Sequence, residues 1–289
     1  MHADLDTLCT TVYCTADDLL PAGPGNARRR VTDAEVATLC VAQAIMGIPS
    51  DRRFLAIARR RLGDLFPELP KQPGFHKRRA RLTETIEWLI GVFAAQSPGF
   101  HDDLLLIDST PVECARSVET TRRSALADAA DYGYCASHSR FFWGFRLHCL
   151  FAPDGTPRAF TLASPKRDER EVGIELLERA DRVGGEIVIG DKGYAGRDFA
   201  EAVGELEATI VRPARKDEPA DGLHLAPIRQ RIESIFWTCK DILTLERHGA
   251  RTLHNLRARI AQRFLALAAC VALNHRLGRP SRALVDYVA

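Results

Sequence analysis

Asp108 and Asp191 each follow a short apolar run, Leu104-Leu105-Leu106-Ile107 in one case and Val188-Ile189-Gly190 in the other. Runs of this length read as buried strands, and an aspartate at a strand end sits where open α/β sheets keep their sites. A carboxylate there is costly to bury unless something positive neutralises it. Mg²⁺ meets that need, since it accepts one or two carboxylates together with water and phosphate oxygens. Such a site suits metal-assisted chemistry, with a shared divalent ion between the two aspartates.

A third acid lies on an amphipathic stretch, and helix geometry locates it. At about 100° per residue, with Arg229 taken as zero, Glu233 falls at about 40° and Lys240 at about 20°. Ile228, Ile232, Ile235, Phe236, Cys239 and Leu243 occupy an adjoining apolar stripe between about −20° and −120°. An acid flanked by two cations therefore borders the buried face of a helix. Each residue has a plainer reading: an Asp after a strand is a common turn or helix cap, and Arg229 with Glu233 is an ordinary i,i+4 pair. Ser109 and Thr110 suggest a nucleophile, but no histidine base stands near them by motif, which disfavours covalent catalysis.

The elements that position these groups fall into two parts. Residues 1–99 read as helical. A weak apolar pattern at Leu5, Leu8, Cys9 and Val12 precedes a break at Pro21-Ala-Gly-Pro-Gly25. Thr32 and Glu35 form a capping box for a helix carrying Val36, Leu39, Cys40, Gln43 and Met46. A further helix buries Phe54, Leu55, Ile57, Ala58 and Leu62, and a last one spans roughly residues 76–95. Residues 100–289 read as a catalytic α/β domain with C-terminal helices. It has a strand ending at Asp108, a hairpin of 141–151 and 158–162 around Asp154-Gly155, and a helix over 168–180. A strand over 186–190, a helix over 197–206, a strand over 208–211 and a long helix over 226–244 follow. This is a mixed sheet whose first three strands are antiparallel, in the ribonuclease H-like order, behind an N-terminal all-helical domain and ending in a C-terminal helix.

Composition agrees with a folded chain: 46% hydrophobic and 27% charged over 289 residues. The formal net charge is only +2, so a polyanion surface must come from local clustering. Arg28, Arg29 and Arg30, Arg59, Arg60 and Arg61, and Lys77, Arg78 and Arg79 supply such clusters in the helical part, a candidate polyanion-binding patch. The apolar run Phe264–Leu273 is about half a bilayer span, and no leader pattern opens the chain, so a cytoplasmic, nucleoid-associated protein without membrane attachment is expected. The eight cysteines are scattered singly, which favours buried thiols over disulfides or a zinc site.

Three segments carry a resemblance: Leu106-Ile107-Asp108-Ser109-Thr110-Pro111-Val112, Gly190-Asp191-Lys192-Gly193-Tyr194, and Arg229-Gln-Arg-Ile-Glu233 followed by Lys240. Together with Tyr132–Ser137 and Phe142–His148 they resemble the DDE transposases of bacterial insertion sequences whose third motif has the tyrosine-arginine-glutamate-lysine pattern. The resemblance implies that Asp108, Asp191 and Glu233 are catalytic and bind two Mg²⁺ ions, with Mn²⁺ as a substitute. It implies phosphate contacts from Arg229, Lys240 and Lys192, and an accessory role for Asp168. The partners implied are double-stranded DNA, both terminal inverted repeats and target, and a second copy in a homodimer on DNA. Two positions depart from the pattern: Ala226 stands where the motif has tyrosine, and Arg167-Asp168 where such proteins often have His-Asp. A same-fold nuclease without joining activity and a non-catalytic DNA-binding regulator are the competing readings; short inverted repeats flanking the coding region separate the first from a transposase.

Overall fold

The structure is a computed structural model that describes residues 4–21, 30–135, 139–215, 218 and 225–288. Arg28, Arg29 and residues 22–25 of the expected break lie outside the described residues. The chain divides into a helical unit, residues 1–96 with 238–289, and a sheet unit, residues 97–237. This differs from the expected division at 99/100, because the C-terminal segment joins the N-terminal helices rather than the sheet.

The helical unit contains α1 (Leu5–Leu19), α2 (Asp33–Ile45), α3 (Asp51–Arg61), α4 (Gln72–Arg81) and α5 (Thr83–Ala94). Thr32 and Glu35 cap α2 reciprocally: the Glu35 N–H donates to the Thr32 hydroxyl at 3.1 Å, and the Thr32 N–H to the Glu35 carboxylate at 2.5 Å. The single helix expected over 76–95 is two, with Leu82 between them. The Thr83 hydroxyl donates to the Ala80 carbonyl at 2.6 Å, a local bond that competes with continuing the helix. The C-terminal helix of the unit is buried almost without interruption from Leu256 to Asn274. A helix buried on every side needs other helices around it, which is why the C-terminal segment belongs here. Among the described residues no helix is long and apolar enough to cross a membrane. All eight cysteines are free thiols.

One buried polar network ties this unit together. The Asp51 carboxylate accepts from Arg79 at 2.8 and 3.1 Å, from Arg259 at 2.7 Å and from Gln43 at 3.0 Å. Gln262 bridges the Cys40 carbonyl and the Gln43 amide at 2.7 and 2.9 Å. Burial by itself would raise the Asp51 carboxyl, but the Arg79 hydrogen bonds and charge, with Arg259 and Gln43, outweigh it and hold it below the usual carboxylate range.

The sheet unit contains β1 (Leu104–Ala115), α6 (Val118–Arg123), β2 (Asp131–Cys135), β3 (Arg140–Phe151), β4 (Pro157–Ala163), α7 (Glu169–Arg179), β5 (Glu186–Ile189), α8 (Arg197–Glu205) and β6 (Ala208–Val211). The next helix, α9 (Ala226–Asp241), begins in this unit and ends in the helical one, where α10 (Leu253–Arg276) follows. The sheet runs β2-β3-β1-β5-β6, with β4 also paired to β3. β1 is antiparallel to β3 and parallel to β5, and β3 is antiparallel to β2 and β4. Strands β4-β3-β1-β5-β6 thus make the ribonuclease H-like order, as the element pattern predicts. On one face Leu105, Ile107, Leu150 and Val188 pack with Leu176 and Leu177 of α7, Tyr194, and Phe199 and Val203 of α8. Phe151 meets Phe236 of α9 edge-on at 5.9 Å.

Two details differ from expectation. β1 does not end at Asp108 but continues to Ala115, because β3 pairs it along that whole length. Pro111 is accommodated there because the parallel pairing with β5 stops at Leu106, which leaves no ladder for its missing N–H on that side. The register shifts near Glu113, opposite Gly144, where a Cβ would stand 2.1 Å from the Val112 carbonyl oxygen. Only glycine fits that close approach.

His148, in the middle of β3, is fully buried and neither ring nitrogen has a hydrogen-bond partner. Burial first, then the charges of Arg146 and Arg167 against that of Glu175, bring its pKa down from 6.5 to about 4. The folded state therefore excludes a proton that the unfolded chain takes up below about 6.5. Stability from this site is complete above that pH and is lost as pH falls toward about 4.

Two outcomes follow for stability. Asp51→Ala leaves Arg79 and Arg259 buried without their anion and lowers the unfolding free energy by about 3 kcal/mol or more in urea titrations; a loss below about 1 kcal/mol contradicts the network's role. His148→Phe flattens the fall of stability between pH 6.5 and 4, recovering on the order of 2 kcal/mol at the acid end. Parallel pH profiles for the two proteins count against that account.

Candidate metal centre on the sheet

Register places the first two acids. Leu106 of β1 stands opposite Ile189 of β5 in the parallel pair, and Asp108 and Asp191 each lie two residues further along. The two strands leave the pairing side by side, so the carboxylates become neighbours, and the charge of Asp191 adds to the cost of ionising Asp108. Asp108 accepts from the Ser109 N–H at 2.7 Å. Asp191 starts a short 3₁₀ turn over Lys192–Tyr194 and accepts from the Gly193 N–H at 2.7 Å.

A third carboxylate joins them from a place outside the expected motifs. Glu169, the first residue of α7, accepts from the Ser109 hydroxyl at 2.7 Å and from the Arg146 guanidinium at 2.5 Å. Arg146 also donates to Ser109 Oγ at 2.8 Å and to the Tyr134 carbonyl at 3.0 Å. A methyl group on Gly193 would stand 2.9 Å from Asp191 Oδ1 and 3.0 Å from Glu169 Oε2. That position has to be glycine for both carboxylates to approach it. Asp168, the acid expected to be accessory, instead caps α7 through the Arg170 N–H at 2.8 Å and pairs with the Arg170 guanidinium.

Electrostatics sharpen the picture. Burial pushes the Asp108 carboxyl up to about 7, and the charges of Asp191 and Glu169 add to it; the Ser109 N–H and Arg229 act in the opposite direction without cancelling it. Arg229 of α9 is thus within electrostatic reach of Asp108. Glu233, one turn further along α9, is exposed. Among the described residues no group of three His, Cys, Asp or Glu side chains stands gathered tightly enough to hold a metal ion. The structure therefore brings Asp108 and Asp191 together, with Arg229 within electrostatic reach of Asp108, while Glu233 is exposed on α9.

The other expected contacts divide in the same way. Lys192 is exposed on the turn after Asp191. Lys240 lies in the helical unit and is 3.6 Å from Glu246. Arg30, Arg59, Arg60, Arg61 and Lys77 are exposed, Arg30 being paired with Glu68 at 3.0 Å. Arg78 is held by the Val31 carbonyl and Asp33 at 2.7 and 2.6 Å. Arg79 is 1% exposed and committed to Asp51, so it is a core residue and not part of a DNA-binding surface.

Do the residues fit a divalent cation? The donor set consists of hard carboxylate oxygens whose mutual repulsion the local cations leave uncompensated, and a hard divalent ion bound by oxygen is the partner such a set suits. Glu169 is hidden in the sequence because a first-turn glutamate is ordinary helix chemistry. The signal that points to it is Arg146, a lone charge in the otherwise apolar Phe142–Phe151 segment, which needs an anion on the same face.

The family described as Transposase DDE domain matches residues 99–269, more than half the chain. No curated protein matches. Among solved structures, a cryo-EM structure of piggyBac transposase in a synaptic complex with hairpin DNA is similar, with a TM-score of 0.44 and 10% identity over 98% of this chain and 78% of that one. With the family match running from the start of the sheet unit through α9 into α10, the chain belongs to the DDE transposases.

Proposed function

We propose that this chain cuts DNA at the ends of a mobile element of the insertion-sequence type and joins those ends to target DNA, in a reaction that depends on Mg²⁺. The observation that carries the reading is the pairing of Asp108 and Asp191 at the end of the β1–β5 parallel ladder, with Arg229 beside them, inside a DDE domain. Glu233, on the same side of α9 as Arg229 and one turn on, is the third acid in this proposal. Asp108, Asp191 and Glu233 would hold the ions, two Mg²⁺ or Mn²⁺ in their place.

The ions, when bound, supply charge stabilisation for the attacking and leaving oxygens of an in-line displacement at phosphorus. The chain's own residues do the rest. Arg229, Lys192 and Lys240 offer cations to the phosphates, and the buried side of Asp108 excludes bulk water. Cleavage replaces a phosphodiester oxygen by one from water and leaves a 3′ hydroxyl. Strand transfer then exchanges a target phosphodiester for one to that hydroxyl, with no covalent enzyme intermediate.

The exposed cations of the helical unit, Arg30, Arg59, Arg60, Arg61 and Lys77 with Arg28 and Arg29, are the surface we assign to the terminal repeats. Phosphate contacts would dominate its affinity. Engaging two ends at once calls for a homodimer on DNA, in the cytoplasm with the nucleoid.

Two measurements test these assignments. Glu233→Gln retains binding of a duplex carrying the element's ends but lowers Mg²⁺-dependent cleavage by about a hundredfold or more, beyond the loss an outer-shell change brings. Near-native cutting by that variant removes the catalytic assignment. Replacing Arg59 and Arg60 by alanine reduces the slope of log affinity against log salt by about 0.9 for every phosphate that these side chains neutralise, and an unchanged slope excludes that pair from the interface.

A further inference from the structure

The turn that begins at Asp191 is held from the next strand's exit by a cation outside the expected motifs. Ile189 ends β5 and Val211 ends β6, and the two are partners in the parallel ladder. Asp191 lies two residues past the first and Arg215 four past the second, so both follow the same edge of the sheet. Arg215 donates from Nε at 3.4 Å and from Nη2 at 3.3 Å to the carbonyl of Lys192, the residue after Asp191. Its backbone is fixed as well, since the Arg215 N–H donates to the Glu218 carboxylate at 2.8 Å.

The donors of this guanidinium are only half used. Nε and Nη2 form one edge of the planar fork, and they share a single neutral oxygen at the long end of hydrogen-bond range. The other edge, Nη1 with Nη2, meets no carboxylate among the described residues. Glu218 is committed elsewhere, taking both Nη groups of Arg212 at 2.5 and 2.8 Å. Arg215 is exposed, so its free edge faces water while its backbone and its Nε edge are tied. A planar fork held in one direction suits two oxygens of a phosphate, a match that the point charge of Lys192 does not offer.

We propose that Arg215 binds a backbone phosphate of the DNA end, one flanking the phosphate that is cut, on the Asp191 side of the site. The inference rests on the reading of this chain as a DNA-cutting enzyme with Asp191 in its site. Lys192 supplies charge at the same turn, and Arg215 supplies direction.

Binding of a duplex carrying the element's ends, measured without Mg²⁺ and with one phosphate at a time replaced by an uncharged methylphosphonate, tests the contact. Neutralising one phosphate beside the cleavage point weakens binding by the unaltered protein about tenfold. Arg215→Gln, which keeps a donor for the Lys192 carbonyl, binds the unmodified duplex about tenfold more weakly and no longer senses that position. Its slope of log affinity against log salt is smaller by about 0.9. Arg215→Lys, a charge without the fork, falls between the two. Were Arg215 only a brace for the turn, the glutamine variant would stay as sensitive to every methylphosphonate as the unaltered protein. That pattern, an unchanged salt slope, or failure of the unaltered protein to bind the duplex overturns the proposal. Cutting is read separately: Mg²⁺-dependent cleavage together with an unchanged methylphosphonate pattern in Arg215→Gln sinks only this inference, whereas a phosphate sensed through Arg215 without any cleavage sinks the catalytic reading.

Discussion

Two carboxylates forced together by strand register are the constraint around which the sheet unit is organised. Leu106 against Ile189 fixes where the parallel ladder stops, and the chain beyond it carries one aspartate on each strand. Like charges this close, one of them buried, oppose folding unless they are offset. The offset comes from the apolar layer beneath, where Ile107, Leu150 and Val188 meet Leu176, Tyr194 and Phe199. A slip of one residue in either strand would exchange the two faces, taking these apolar side chains off the α7–α8 layer and the acids off their own face, so the same register that builds the core also builds the site.

Much of this is legible in the sequence alone, and the reason is the short range of the signals. Apolar runs at Leu104 and Ile187, the Asp154-Gly155 turn and the capping box at Thr32 are local statements, and each element they predict is present. The misreadings concern features whose cause lies far along the chain. β1 runs past Asp108 because β3 pairs it to Ala115, which no local pattern around Pro111 announces. The segment from Thr238 joins the helical unit because Leu256–Asn274 is buried on nearly every side, Arg259, Gln262 and Arg263 included, against partners far along the chain. At the site, Asp108 and Asp191 are readable from strand ends, whereas Glu169 looks like a helix's first-turn acid until Arg146, on a strand folded beside it, supplies its partner.

Charge in the helical unit teaches a related lesson. Arginine clusters read alike in a sequence, yet neighbouring members of one cluster have opposite fates here: Lys77 is exposed while Arg79, two residues on, is sealed in the core with Asp51 and Arg259. Helix periodicity explains the split, since residues two apart face opposite sides. A buried cation of this kind is not available to phosphate and would be costly to expose, because its withdrawal strands Asp51.

The charge balance around Asp108 also bears on Glu233, which is exposed on α9. Asp108 already bears the burden of burial, Asp191 and Glu169, with Arg229 as its chief distant relief. A further carboxylate pressed into that space would add repulsion that Arg146, already engaged with Glu169 and Ser109, is not placed to cancel. An exposed position on α9, one turn from Arg229, costs little in desolvation and keeps the helix's apolar stripe of Ile232, Ile235 and Phe236 buried. Under the proposed function, cations arriving with DNA change that balance, because positive charge between the strands and α9 turns repulsion among the acids into shared attraction.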